Sequence, residues 1–194
     1  MYDREQFMRK LVRWQKHMEN YCLPTWEELP DMELYMDQVV SLVNRYLDLI
    51  PHDADNSVLT ASTVNNYVRL RVMPPPERKR YGRRHLAYLI MICLMKQSLT
   101  LSEIQKVLLP DLPEEDIRQT YNEFVGRMTT TTELFIDQVN AIARQVLIPE
   151  NAHGCESLVL HSVVNSVLYK LLTVKLTGLR ILPEKKGTKT GTSV

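Results

Sequence analysis

The sequence predicts an all-α protein, a helical bundle, on three observations. Glycine is scarce, 6 in 194 residues, while the good helix formers Leu, Met, Glu, Gln, Arg and Lys are abundant. Apolar residues recur at steps of three and four rather than alternating with polar ones. Prolines punctuate these periodic stretches instead of interrupting them. With 44% hydrophobic and 24% charged residues, the chain can bury a sizeable core.

Each element follows from its spacing. Phe7, Leu11, Trp14, Met18 and Tyr21 share one face of a first helix that ends before Pro24. A linker, 23–30, leads to an amphipathic helix over 32–50. Its inward residues are Met36, Val39, Val40, Val43, Tyr46, Leu47 and Ile50, and Pro51 stops it. A polar, turn-rich stretch, 52–57, follows. Thr60 or Ser62 then caps a short helix with Val64, Tyr67, Val68 and Leu70 as its apolar positions, ended by Pro74, Pro75 and Pro76. The next helix, 83–97, is apolar on nearly every side, which places it at the centre of the fold. Thr100 with Glu103 reads as a capping box for a helix through residue 108.

After Pro110 and Pro113, a long near-heptad pattern carries Ile117, Tyr121, Phe124, Met128, Phe135, Val139, Ile142 and Val146. The four threonines 129–132 are expected to break or bend it. The last helix, 156–176, holds Leu160, Val164, Val167, Leu171 and Val174 in one row and Val159, Val163, Leu168 and Leu172 in another, more apolar surface than one partner helix needs. The organisation expected is an N-terminal helix (1–22), a central unit (23–110), a C-terminal helical dimerisation or effector region (111–182) and a disordered tail (183–194).

The net charge of +1 argues against a nucleic-acid partner until its distribution is considered. Between Arg69 and Arg84 seven basic residues oppose the single carboxylate of Glu77, a local charge of +6 that leaves the remainder at −5. Three cysteines without close pairing and an N-terminus lacking the apolar core of a signal peptide fit a reducing, cytoplasmic setting. The two most apolar windows are either too short for a bilayer or interrupted by His161, Asn165, Lys170 and Lys175, so no membrane partner is expected.

The series Leu59-Thr-Ala-Ser-Thr-Val-Asn-Asn-Tyr67, then Pro74-Pro75, Arg78-Lys-Arg-Tyr81, an apolar helix and Leu99-Thr-Leu-Ser-Glu-Ile104 resembles the DNA-binding head of MerR-type regulators, in order and in spacing. The phrases Leu34-Tyr-Met-Asp-Gln38, Val64-Asn-Asn-Tyr67 and His85-Leu-Ala-Tyr-Leu89 also resemble the bacterial domain-of-unknown-function family 1836, over roughly 23–180. The resemblance implies a winged helix-turn-helix with at most a minimal β wing, and DNA binding. Tyr67 matches the family position from which a hydroxyl reaches a phosphate. The chain departs from the MerR pattern in a shorter wing, in Arg71 where a turn glycine is common, and in Asn65 for a frequent arginine. The first helix of the motif must be the one over 32–50, acting across a longer loop.

The residues themselves support the same chemistry. Ser62, Thr63, Asn65, Asn66 and Arg69 offer short polar groups that suit base edges in a major groove. Arg78, Lys79, Arg80 and Arg84 would neutralise backbone phosphates. His153-Gly-Cys155 with His161 has a spacing from which a metal site could be built, but three ligands split across a loop and a helix without paired cysteines are a weak signal, and Cys93 and Cys155 read as packing residues, so no metal or cofactor is expected. No phosphate-cradling glycine loop, nucleophile elbow or metal-binding histidine pair points to an enzyme. The expectation is a DNA-binding transcriptional regulator of bacterial type that acts on duplex DNA as a homodimer, with the identity of any small-molecule effector open. The alternative is a helical protein-interaction adaptor or a small-molecule sensor without DNA binding.

Overall fold

The computed structural model describes residues 2–51, 57–148 and 153–179. The tail expected to be disordered, 183–194, and most of the turn-rich stretch, 52–56, lie outside the described residues. The chain is all-helical as expected. In order come α1 (Arg4–Asn20), α2 (Met36–Tyr46), α3 (Ala61–Arg69), α4 (Arg83–Met95), α5 (Leu101–Val107), α6 (Glu114–Val146) and α7 (Gly154–Gly178). Among the described residues only isolated bridges pair extended backbone, Leu34 with Tyr81 and Glu77 with Arg80.

The core forms around α4, in which every residue from His85 to Cys93 is buried. A helix with no polar face must be covered on all sides. From α2 come Val39 and Val43, from α3 Val64 and Tyr67, from α5 Ile104, and from the first half of α6 Ile117, Tyr121 and Val125. The cluster therefore runs from Leu23 to Val125 and takes the start of α6 into the same core as residues 23–110.

Buried polar groups fix the connections. Tyr88 donates its hydroxyl to the Leu109 carbonyl at 2.6 Å, holding the α5–α6 corner. Tyr121 donates to the Pro24 carbonyl at 2.9 Å, and the Asn122 amide oxygen accepts the Trp26 N–H at 2.8 Å. With the Arg118–Glu27 ion pair at 2.7 Å, these pin the linker before α2 onto α6.

Two elements differ from expectation. The helix over 32–50 shortens to α2, because Leu34 is used in the bridge to Tyr81 and the Tyr35 N–H is taken by the Gln38 side chain, which sets the helix start. α6 runs through the four threonines without a break. Thr129 turns its hydroxyl back onto the Val125 carbonyl at 3.2 Å, satisfying it inside the helix. The capping box is formed as read: Thr100 accepts from the Glu103 N–H, and Glu103 accepts from the Thr100 N–H.

The second half of α6 carries the outer helices. α1 lies antiparallel on it, with Gln15 donating to Asn140 at 2.9 Å, Trp14 edge-on to Phe135, and Arg4 donating to the Leu147 and Ile148 carbonyls at the α6 C-terminus. Gly154 starts α7 against the backbone of Val146 and Leu147, where any Cβ would collide.

One side chain fixes the approach to α3. Asn44 of α2 accepts the Leu59 N–H at 2.9 Å and donates to the Leu59 carbonyl at 2.8 Å, so a single amide clamps both backbone groups just ahead of the helix. Asn44→Ala leaves both partly buried groups unpaired. It should cost about 2–3 kcal/mol in urea unfolding, with an unchanged helical signal at zero denaturant.

Candidate nucleic-acid interface

The residues singled out from the sequence divide between α3, the turn after it and a small hairpin. α3 begins at Thr60, whose hydroxyl accepts the Thr63 N–H at 3.1 Å and pairs with the Thr63 hydroxyl at 2.8 Å. The helix sinks Val64 and Tyr67 into the core and turns Ser62, Asn65 and Arg69 fully outward, with Asn66 half-buried between them. At 100° per residue these four side chains fall in one arc opposite Val64. Arg69 donates to the Asn66 amide oxygen at 2.7 Å, which presents the guanidinium and the amide as a unit. Thr63 is spent on the cap.

Tyr67 stands apart from this arc. Its ring is in the core and its hydroxyl meets the Cys93 thiol, in a pocket dry enough to push the phenol upward and the thiol to about 12. Burial is the main cause in both cases. The Tyr67 hydroxyl therefore faces α4 rather than the surface on which Asn65 and Arg69 lie.

α3 ends in a Schellman turn. The Val72 N–H reaches back to the Tyr67 carbonyl at 2.9 Å and the Arg71 N–H to the Val68 carbonyl at 3.0 Å. Such a turn needs a left-handed residue, and Arg71 occupies it at φ 53°. Gln105 of α5 donates to the Leu70 carbonyl at 2.7 Å and locks the turn from below.

The segment expected to form a wing is a hairpin of two tip residues. Glu77 and Arg80 exchange backbone hydrogen bonds at 2.7 and 3.2 Å, leaving Arg78 and Lys79 at the tip with φ 49° and 64°. Positive φ at both tip residues defines a type I′ turn, where Asn-Gly is the relaxed sequence. Each non-glycine residue held left-handed costs about 1–2 kcal/mol. The hairpin is tied to the body by the Leu34–Tyr81 bridge, with both hydrogen bonds at 2.9 Å. Arg80 lies flat on the Tyr35 ring, 3.5 Å from its centroid, and donates to the Tyr35 hydroxyl.

The basic run thus splits by role. Arg80 is stacked on Tyr35, Arg83 donates to the Leu29 carbonyl and pairs with Asp31, and Arg84 donates to the Leu112 carbonyl while its Nε is buried without a partner. Arg80 thus braces the hairpin, Arg83 the linker before α2 and Arg84 the α5–α6 connection. Arg69, Arg71, Arg78 and Lys79 are exposed, and among the described residues no carboxylate pairs with any of them. The role of Arg71 was missed as a site residue, although the usual turn glycine at its position was the signal. The seat of Arg80 on Tyr35 left no trace in the sequence pattern.

Beside the hairpin, His85 binds two backbone groups. Its Nδ1 accepts the Gly82 N–H at 3.0 Å, which leaves Nε2 to carry the proton and donate to the Pro75 carbonyl at 3.1 Å. The ring must stay neutral to do both. Burial, reinforced by the neighbouring Arg84 charge, holds it below the ordinary imidazole range.

At the other end of the chain, Cys155 is buried and His161 exposed, and among the described residues no three potential ligands gather into a metal site.

The sequence profile of a domain of unknown function, DUF1836, matches residues 24–124, the span that forms the core cluster and carries α3 and the hairpin. No curated protein and no solved structure matches the chain.

Two outcomes follow from this geometry. Relaxing the left-handed sites, by Arg71→Gly or by Arg78→Asn with Lys79→Gly, should stabilise the fold by about 1 kcal/mol or more in each case, read as a raised thermal midpoint. For His85, the unfolded chain takes up a proton first as pH falls through about 6.5. Its contribution to stability is whole above that value and drains away between there and the lower folded pKa. An NMR titration should show the His85 ring protonating below the free-imidazole value.

Proposed function

The chain belongs to the DUF1836 family, and we propose that it is a DNA-binding regulator of bacterial type that lays α3 along a major groove with the hairpin as its wing. The observation that carries this reading is the set of four exposed cations, Arg69, Arg71, Arg78 and Lys79, that pair with no carboxylate among the described residues, three of them at left-handed positions that a glycine would fill without strain. Strain kept where a charged side chain points to water suggests selection for the side chain rather than for the fold.

In this reading the arc of α3 does the base reading. Asn65 and Asn66 present amides of the kind that pair with the adenine edge, Arg69 a fork that matches guanine, and Ser62 a hydroxyl tolerant of either. Arg71, Arg78 and Lys79 hold phosphates on either side, which fixes register without reading sequence. Arg80 and Arg84 contribute field while serving as braces. α2 and α3, joined through Asn44 and Leu59, take the places of the two helices of a MerR-like helix-turn-helix. The reading is one of binding rather than catalysis, and it fits a chain working in the bacterial cytoplasm.

Four phosphates neutralised would give log affinity falling against log salt with a slope of about −3 to −4. Arg78→Ala with Lys79→Ala should shallow that slope by about 2 and weaken binding to all duplexes alike. Asn65→Ala should instead relax preference at one base pair, by about 1–3 kcal/mol of discrimination. Fluorescence anisotropy on labelled duplexes across a salt series measures both. Binding that is indifferent to salt and to the Arg78 and Lys79 changes would overturn the proposal. The relaxed variant Arg78→Asn with Lys79→Gly separates fold from function, because it should melt later yet bind less.

A further inference from the structure

α7 is 25 residues long but is buried only at its first turns, at Gly154, Cys155 and Leu158. Beyond them one row of side chains steps by four and three along the helix. Leu160 is 64% exposed, Val164 49%, Val167 51%, Leu171 62% and Val174 39%. At 100° per residue this row lies on the side opposite Cys155, Leu158 and the partly buried Asn165 and Thr173, so it points away from α5 and α6. A 4–3 row is the seam of a coiled coil, and here it faces water.

We infer that this seam is covered by a second copy of the same helix, packed antiparallel, so that the protein is a dimer through α7. Area, register and charge lead to that occupant. The row with its neighbours Val163 and Leu168 exposes on the order of 600 Å² of apolar surface per copy, more than the few hundred a monomer ordinarily leaves in one patch. Two copies together reach roughly 1,200 Å², where specific interfaces begin. Setting Val164 of one helix against Val167 of the other also sets Leu160 against Leu171, which keeps the seam apolar. A parallel pair would instead align Lys170 with Lys170 and Lys175 with Lys175. Antiparallel packing also opposes the two helix dipoles.

The other occupants fit less well. α7 is long and apolar enough by composition to cross a membrane. However, Lys170, Asn165 and His161 would sit within the hydrocarbon, and a lysine near the centre costs about 2.5–3.5 kcal/mol on insertion scales. The segment that follows, 180–194, brings only Ile181, Leu182 and Val194 as apolar cover. The inference stands on α7 alone and does not rest on DNA binding. Joined to that reading, it would supply two α3 helices related by a two-fold axis.

Sedimentation equilibrium of the full chain at micromolar concentration is the test. The wild type should show the mass of a dimer, and Leu160→Lys with Leu171→Lys should show that of a monomer with an unchanged circular dichroism spectrum. Leu160→Glu with Leu171→Lys should recover the association that the double-lysine variant loses, because the register sets each glutamate against a lysine of the second copy. A monomeric wild type, or a double-lysine variant that remains dimeric, would overturn the inference. So would a monomeric wild type that floats with phosphatidylcholine vesicles, which would assign the seam to lipid. Failure of the charge pair to restore association would overturn the antiparallel register. A dimer that ignores duplex DNA would leave this inference standing and remove the DNA-binding proposal.

Discussion

The structure depends on α4 having no face that water could accept. From Leu86 to Ile92 its side chains are wholly buried. At about 2 kcal/mol for each large apolar side chain covered, this one helix gains about as much as the net stability of an ordinary domain. Nothing else in the chain is so uncompromising. α2, α3, α5 and the first half of α6 are amphipathic elements whose apolar faces converge on it, and the loops between them are held by polar groups at its rim. His85 holds the prolines, Tyr88 the α5–α6 corner, and Cys93 the hydroxyl of Tyr67.

That arrangement explains why a polar, strained surface is affordable on one side. α3 is short, and nine residues would not hold a helix unaided. It is fixed at its start by Thr60 and Asn44, through its middle by Val64 and Tyr67, and at its end by a Schellman turn that Gln105 supports. The hairpin is likewise held at its exit by the Leu34–Tyr81 bridge and by Arg80 on Tyr35. With both elements over-determined, Arg71, Arg78 and Lys79 can occupy left-handed backbone at a cost the core absorbs. Positive charge then sits on rigid supports, as the proposed contact with a polyanion requires.

Much of this was legible in the sequence, because its signals were local. Periodicity marked the helices, Thr100 with Glu103 marked a helix start, the proline run marked the end of α3, and the missing polar face of α4 marked the centre. The outward side of α3 followed from Val64 and Tyr67 pointing in. What escaped was decided across the chain. The linker near Trp26 is held by Asn122, nearly a hundred residues away, and no pattern within either segment announces that bond. Arg80, Arg83 and Arg84 read as a continuation of the basic run, yet Tyr35, Leu29 and Leu112 take them up as braces. The threonines of α6 looked like a break because β-branched residues disfavour helix, but packing at both ends of α6 outweighs that preference, and Thr129 satisfies its hydroxyl on the Val125 carbonyl without leaving the helix. The doubled apolar rows of α7 were visible as a surplus, and the structure shows that surplus exposed.

The central claim is that α3 and its flanking cations read duplex DNA. Its most direct measurement is the selection of bound sequences by the purified full chain from a pool of random duplexes at physiological salt. The expected result is an enriched motif whose two halves are inverted copies of one another. A pool that remains random after repeated rounds would contradict the account.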